Sequence, residues 1–254
     1  MQNAELGLPW MSDAAIPGLV VKVVEPDAGA NPAHRTYVYL HGAGANEDDL
    51  LGLSHYIDPN ARHIALRAPI SYGDGWCWYP LSWDGTRIQV DQTVAPHSRD
   101  RIAHQLVDVL TALNVDRDRV TIIGFSQGAA MALVTAMTHP GLASEIVLLS
   151  GLRVPLMLDH IPADVALPRT LIHHGIDDSV VPISEGRALR DWCLKQNPEN
   201  VTYGEYEIGH TITQETLTDV IAWLATLANI CEVDLTKAIA DKYIKDGGPE
   251  GFKV

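Results

Sequence analysis

The stretch Gly124-Phe125-Ser126-Gln127-Gly128-Ala129-Ala130 decides the architecture that we expect for this chain. It follows the β-branched run at residues 120–123 and opens an apolar, helix-like segment at 131–138. A strand that passes into a helix through Gly-x-Ser-x-Gly is the pattern of a nucleophile elbow, which holds a serine clear of the backbone. Glycines on both sides of the serine remove the Cβ atoms that would collide in so sharp a turn. The flanking strand and helix patterns favour an elbow over an ordinary Gly–Ser loop, and we predict that Ser126 is a nucleophile.

A serine nucleophile needs a histidine base and an acid that orients the base, and after an elbow these follow in the order acid, then histidine. The strand-like residues 170–174 lead into a loop that carries Asp177 and Asp178. Either aspartate satisfies the order, and the other is then an ordinary turn residue. The alternating run at 201–208 is followed by Gly209-His210 and by a helix start at 213–216, so His210 is the predicted base.

The oxyanion site is expected earlier in the chain, where the apolar run 36–40 ends in His41-Gly42-Ala43-Gly44. We predict that the backbone N–H groups of Ala43 and Gln127 form the oxyanion hole. Because these donors are backbone groups, the side chains at both positions are expected to matter little. A plain tight turn is the alternative for the glycine-rich loop, and His41 is interpreted as structural rather than catalytic.

The adjacent pair His173-His174 invites interpretation as a metal site. Neighbouring residues of a strand point to opposite faces, so the two rings cannot easily hold one ion. The chain also lacks Cys/His spacing for zinc and an acidic calcium loop. We therefore expect neither a metal nor another cofactor.

Four motifs in this order resemble the phospholipase/carboxylesterase family of α/β-hydrolases. The motifs are Leu40-His41-Gly42-Ala43-Gly44, Gly124-Phe125-Ser126-Gln127-Gly128, Asp178-Ser179-Val180-Val181-Pro182 and Gly209-His210. The resemblance runs from about residue 36 to about residue 227. It implies Ser126, Asp178 and His210 as a catalytic triad, with Ala43 and Gln127 as the oxyanion donors.

The resemblance also implies acyl-ester chemistry without a cofactor. We expect a serine carboxylesterase that hydrolyses short-to-medium acyl esters through an acyl-enzyme intermediate. An acyl-thioesterase or a lysophospholipase would use the same triad, and a non-catalytic receptor for a small ligand is a remote alternative on such a fold. Close thioesterase relatives usually carry a second glycine after Gln-Gly, whereas this chain has Ala129, which argues against a direct assignment as an acyl-protein thioesterase.

The remaining pattern predicts one α/β-hydrolase domain over residues 1–254, with a core at about 19–228 and a helical extension at 229–254. Helix-like segments at 101–113, 126–138, 185–195 and 213–227 alternate with strand-like runs at 36–40, 63–68, 120–124, 145–150, 170–174 and 201–208. This alternation indicates a mostly parallel sheet with helices on both faces. Residues 19–24 are predicted to form an antiparallel edge strand, and residues 234–244 an extra amphipathic helix that packs on the domain or on a second subunit.

Residues 70–98 lack a regular pattern and hold three of the six tryptophans. Connections of this length are uncommon unless they are functional. We predict that Trp76 and Trp83 line the substrate site, and the alternative is that they only anchor the loop.

Composition narrows the function further. The 254 residues carry a formal charge of −14, which opposes binding to nucleic acid or to an anionic membrane. The three cysteines are widely spaced, as is typical of a reduced, cytoplasmic protein. We find no signal-peptide pattern and no stretch long enough to span a bilayer. The expected partner is a small acyl ester, and a homodimer is compatible with such an enzyme.

Overall fold

The computed structural model describes residues 20–26, 35–83, 88–90, 95–158, 161–162 and 164–230. The chain divides into two compact units, Met1–Thr211 and Ile212–Val254. Within the described part of the first unit, the strands are β1 (Val21–Val24), β2 (Thr36–Leu40), β3 (Arg62–Leu66), β4 (Ile70–Tyr72), β5 (Gly75–Cys77), β6 (Leu81–Trp83), β7 (Ile88–Val90), β8 (Val120–Phe125), β9 (Glu145–Leu149), β10 (Arg169–Gly175) and β11 (Val201–Tyr206). Its helices are α1 (Asp48–Leu51), α2 (Ser54–Ile57), α3 (Ala95–Ala112), α4 (Gln127–Thr138), α5 (Pro155–Leu158) and α6 (Ile183–Gln196).

Seven of these strands form one sheet in the order β1-β3-β2-β8-β9-β10-β11. All neighbouring pairs run parallel except β1 and β3, which are antiparallel at the edge. The mostly parallel sheet and its antiparallel edge strand are therefore confirmed. Each predicted strand of the sheet agrees with the observed one to within two residues at either end.

Burial on both faces explains why the central strands are continuous apolar runs. All five residues of β2 and of β9 are buried, as are the first five of β8. In α4 every residue from Gln127 to Met137 is buried, and this helix packs on β8 and β9. Right-handed crossovers place α3, α4 and α6 on one face of the sheet, and α1 and α2 on the other.

The segment at 70–98 differs from the prediction of an irregular loop. It contains two antiparallel hairpins, in which β4 pairs with β5 and β6 pairs with β7. These strands have three residues each, too few to show an alternating pattern in the sequence. Helix α3 also begins at Ala95, earlier than the predicted residue 101, because a proline is tolerated in the first turn of a helix.

The second unit contains α7 (Gln214–Ile230), near the predicted bounds of 213–227. Thr213 and Thr216 exchange hydrogen bonds before its first turn, with the Thr213 N–H donating to Thr216 Oγ1 at 2.9 Å. The helix predicted at 234–244 lies outside the described residues. Across the described ranges, every helix is too short or too polar to cross a membrane.

Candidate active site

Ser126 lies in the sharp turn between β8 and α4. Its backbone has φ 54° and ψ −117°, a conformation that costs a non-glycine residue about 1–3 kcal/mol. The turn is held by the Ser126 N–H, which donates to the carbonyl of Leu149 at 2.8 Å, and by the Ser126 carbonyl, which accepts from the N–H of Ala129 at 3.1 Å. These bonds join the turn to the neighbouring strand and to the helix. The structure therefore has the strained elbow that the sequence predicts.

The two glycines of the motif are required by close backbone contacts. A Cβ atom on Gly128 would lie 1.9 Å from the carbonyl oxygen of Leu40, and one on Gly124 would lie 2.3 Å from that of Gly128. Neither contact can be relieved by rotating a side chain, because the opposing atoms belong to the backbone. The end of β2 thus touches the start of α4, which brings the loop after β2 next to Ser126.

Asp178 and His210 form a hydrogen-bonded pair, with His210 Nδ1 2.7 Å from Asp178 Oδ2. The other carboxylate oxygen, Oδ1, accepts the backbone N–H groups of Val180 at 2.9 Å and Val181 at 2.8 Å. Asp178 is 5 % exposed, whereas Asp177 is exposed to solvent. The structure thus pairs Asp178 with the histidine, although the loop offered two aspartates. An ionised carboxylate accepts only, so His210 carries its proton on Nδ1 and leaves Nε2 free to accept one.

The His210 ring lies beside the elbow. Its centroid is 4.8 Å from that of Phe125, the residue before Ser126. The side chain of His210 keeps 17 % of its surface exposed, while that of Asp178 is fully buried. A buried acid and a partly accessible imidazole are therefore hydrogen-bonded to each other, and the imidazole contacts the residue that precedes the elbow serine.

The loop after β2 is held by His41, which is 1 % exposed. His41 Nε2 accepts the N–H of Ala68 at 3.0 Å, so the ring proton lies on Nδ1 and is donated to the carbonyl of Gly42 at 2.7 Å. Burial lowers the pKa of His41 below 6.5, which keeps the ring neutral. A carbonyl and the following N–H point in opposite directions across a trans peptide, so the Ala43 N–H is directed away from His41. His41 is structural in this arrangement.

Two backbone donors stay open near Ser126. Within the described residues, the N–H groups of Ala43 and Gln127 form no hydrogen bond. The first N–H groups of a helix have no acceptor within the helix, and Gln127 opens α4. The loop of Ala43 borders the serine, because a Cβ on Gly42 would lie 3.4 Å from Ser126 Cβ.

The side chain of Gln127 was expected to matter little, but the structure gives it two hydrogen bonds. It is 1 % exposed, its Oε1 accepts the N–H of Trp78 at 2.7 Å, and its Nε2 donates to the carbonyl of Tyr79 at 2.7 Å. Only the antiparallel fold of residues 70–83 brings these groups to the elbow. The sequence carries no signal for this contact beyond an amide side chain next to the nucleophile.

His174 is a second residue whose role sequence reasoning missed. Its Nε2 donates to the carbonyl of Val181 at 2.8 Å and lies 3.6 Å from Asp178 Oδ2. Burial lowers the pKa of His174, so the ring is neutral beneath the loop of Asp178. His173 contacts a different neighbour, with its Nε2 3.1 Å from the hydroxyl of Tyr206. The two adjacent histidines thus face apart, and the described residues hold no group of three side chains suited to a metal ion.

Trp76 is half-buried and is hydrogen-bonded to the loop after β2. Its carbonyl accepts the N–H of Gly44 at 2.8 Å, and its ring lies under the guanidinium of Arg67, 5.1 Å from the ring centroid. Arg67 in turn binds the buried carboxylate of Glu47 through two nitrogens. The indole therefore contacts a cation near the site. The side chain of Trp83 lies outside the described atoms.

The fold and the elbow define a serine hydrolase of the α/β-hydrolase fold. Acyl-protein thioesterase 1 of Saccharomyces cerevisiae is 28 % identical over 78 % of this chain and 94 % of its own length. The crystal structure of a carboxylesterase from Mesorhizobium loti has a TM-score of 0.70 at 27 % identity, covering 86 % of this chain and 98 % of that one. The structure of esterase PE8 has a TM-score of 0.71 at 26 % identity, covering 82 % and 99 %.

The chain belongs to the phospholipase/carboxylesterase family, whose pattern it matches over residues 22–228. The protein is accordingly a carboxylic ester hydrolase.

Proposed function

We propose that the protein is a serine carboxylesterase for short-to-medium acyl esters, with Ser126 as nucleophile, His210 as base and Asp178 as the orienting acid. The observation that carries this proposal is the 2.7 Å hydrogen bond between His210 Nδ1 and the buried Asp178, beside the strained elbow of Ser126. The backbone N–H groups of Val180 and Val181 donate to Asp178 Oδ1 and hold the carboxylate in the orientation in which Oδ2 faces the base.

In the proposed reaction, Ser126 Oγ attacks the acyl carbon while His210 Nε2 takes the hydroxyl proton. Asp178 stabilises the imidazolium that forms, and His210 then returns the proton to the leaving alcohol. In the second half of the reaction, His210 takes a proton from water, which attacks the acyl-enzyme. The bond between Ser126 Oγ and the acyl carbon then breaks, and His210 returns the proton to Ser126 Oγ as the acid leaves.

The negative oxygen of each tetrahedral intermediate needs donors that are already in place. The open N–H groups of Ala43 and Gln127 are the proposed pair. Losing one such donor typically reduces kcat by about 10²- to 10³-fold.

A thioesterase activity is the second candidate, because curated relatives at 25–28 % identity are named acyl-protein thioesterase 1. The triad and the oxyanion donors would be the same, and only the leaving group would differ. Rates on an oxoester and a thioester with the same acyl chain separate the two activities. A receptor without catalysis would fail to react at Ser126 with a fluorophosphonate.

The test is hydrolysis of p-nitrophenyl esters from acetate to palmitate by wild type, Ser126→Ala and the exposed control Ser184→Ala. We expect Ser126→Ala to lose the activity and Ser184→Ala to keep it, with a maximum at short or medium chains. Equal activity of Ser126→Ala and wild type would exclude Ser126 as the nucleophile. A maximum at palmitate would instead favour a lipid hydrolase.

We further propose that Trp76 and Trp83 line the acyl site. The attachment of Trp76 to the oxyanion loop supports this for Trp76. Replacing either tryptophan by alanine should shift the chain-length preference, and an unchanged profile would refute the assignment. We also propose a cytoplasmic location, which the free, buried thiols of Cys77 and Cys193 support. We propose a homodimer as well, and sedimentation can test this oligomeric state.

A further inference from the structure

The segment 76–79 is bonded to the loop that carries the Ala43 donor. The backbones of Gly44 and Trp76 are joined by an N–H···O bond of 2.8 Å, and the Trp76 N–H donates to Ala45 at 2.9 Å. The Trp78 indole N–H donates to the carbonyl of His41 at 2.8 Å, and the two rings pack with centroids 5.2 Å apart. Trp78 is fully buried, so the hydrogen bond from its indole N–H to His41 is shielded from solvent.

The same segment is bonded to the elbow through one side chain. Gln127 Oε1 accepts the N–H of Trp78, and Gln127 Nε2 donates to the carbonyl of Tyr79, both at 2.7 Å. Each end of the amide faces a group that only that end can satisfy, so the amide has one orientation. Gln127 thus provides a backbone donor at the elbow, and its side chain binds the segment 76–79. That segment is in turn bonded to the loop that carries the Ala43 donor.

We propose that the side chain of Gln127 is a positioning residue for the oxyanion hole, an inference that rests on the proposed function. The two donors lie on separate loops, after β2 and after β8. The contact of Gly128 with Leu40 keeps these loops close, but it does not set the rotation of the peptide that carries the Ala43 N–H. The side chain of Gln127, acting through Trp78 and His41, sets that rotation.

The inference predicts a loss that is specific to the transition state. The donors act on charge that develops during the reaction, so their displacement lowers kcat more than it raises KM. A displacement of about 1 Å in such a site reduces the rate by about 100-fold. A side chain that only stabilised the fold would change neither the intrinsic kcat nor the affinity for a tetrahedral adduct.

The test compares wild type, Gln127→Met and a matched control, Gln105→Met. Methionine keeps the length of glutamine and removes both hydrogen bonds. Gln105 lies on the neighbouring α3, and its Oε1 is buried without a hydrogen-bond partner within the described residues, so its replacement removes no bond at that atom. The measurements are kcat and KM on p-nitrophenyl acetate, and Ki for an alkyl trifluoromethyl ketone, which forms a tetrahedral adduct with a nucleophilic serine.

For Gln127→Met we expect kcat to fall by about 10- to 100-fold, with KM changed by less than about threefold. The Ki of the ketone should rise by the same factor by which kcat/KM falls. Gln105→Met should stay within about twofold of wild type in all three quantities. A folded Gln127→Met protein with normal kcat overturns the inference, and so does a lower kcat with unchanged ketone affinity.

Trp78→Phe provides a second test if Gln127→Met does not fold, because it keeps the backbone N–H that binds Gln127 and removes the indole N–H to His41, together with part of the buried ring. It should give the same pattern at smaller size, and a normal ketone affinity would overturn the inference. Ser126→Ala distinguishes the two levels of the proposal. If it is inactive while Gln127→Met is normal, only this inference fails; if it is as active as wild type, the proposed function fails and this inference with it.

Discussion

Replacing Asp178 by asparagine tests the proposed triad at the bond that carries it. Asp178 Oδ1 accepts two backbone N–H groups, and Oδ2 faces His210 Nδ1 at 2.7 Å. In Asp178→Asn the remaining carbonyl oxygen must stay with the two N–H donors, since the opposite orientation would set the NH₂ group against both. The NH₂ group then faces His210 Nδ1. Because the NH₂ group donates, Nδ1 must be unprotonated and accept its hydrogen bond.

The consequence is a change of tautomer. Neutral His210 would carry its proton on Nε2 and could not take one from Ser126. A triad with the wrong tautomer loses about 10⁴-fold in kcat, which corresponds to about 5 kcal/mol of barrier. The loop should hold, because both backbone hydrogen bonds survive in weaker, neutral form at a cost of about 1 kcal/mol in unfolding free energy.

The assay is kcat/KM on a p-nitrophenyl ester near neutral pH, together with thermal unfolding. The matched control is Asp177→Asn, an exposed neighbour that should keep wild-type activity. Retention of more than about one per cent of kcat/KM in folded Asp178→Asn would refute the tautomer reasoning. Equal losses in the two variants would refute the choice of Asp178.

Three further predictions concern stability. Gly128→Ala should lower the free energy of unfolding by about 3 kcal/mol or more, because the added Cβ would lie 1.9 Å from a backbone oxygen. Glu145→Gln should lower the free energy of unfolding in urea by about 3 kcal/mol. The carboxylate is 2 % exposed and binds Arg35 and Arg169 at the amino ends of the strands. The free energy of unfolding should fall as the pH drops below about 6.5, because burial lowers the pKa of His41 and of His63. Below that pH the two imidazoles are protonated in the unfolded chain but stay neutral in the folded protein, so acid favours unfolding.

Each of these predictions has a control or an opposing outcome. Gly52→Ala, where the new Cβ meets only ordinary contacts, should cost no more than about 1 kcal/mol. Glu205→Gln, at a surface pair with Arg187, should also cost less than about 1 kcal/mol, and an equal loss at Glu145 and Glu205 would contradict the burial reasoning. Urea unfolding at about pH 7.5, 6.5 and 5.5 tests the histidines; stability that is constant or rises toward pH 5.5 would count against neutral buried rings.

Much of the fold followed from local patterns. The strands of the central sheet were predictable because buried parallel strands are continuous apolar runs bounded by glycine and proline. Helix α4 was predictable from the residues after the elbow. The pairings of β4 with β5 and of β6 with β7 were not predictable, because each strand has three residues and pairs with its neighbour through backbone groups that leave little trace in composition.

The candidate site followed only in part. Residue type and order marked Ser126 and His210, because a base must follow the nucleophile in a loop after a strand. Spacing alone left Asp177 and Asp178 open, and the structure separates them by burial and by the bond to His210. The side-chain contacts of Gln127 had no sequence signal, because both of its partners lie more than forty positions away.

The sequence by itself determined the class of architecture, the elbow and the kind of chemistry, because these depend on periodicity and on residue types at short spacing. The tertiary structure alone decided which aspartate is hydrogen-bonded to His210, which ring nitrogen of His41 holds the proton, and which groups the Gln127 amide binds. Each of these depends on hydrogen-bond geometry between segments that are distant in the chain. A hydrogen bond requires its atoms to lie within about 3 Å, and only the packing of the sheet and its loops sets that distance.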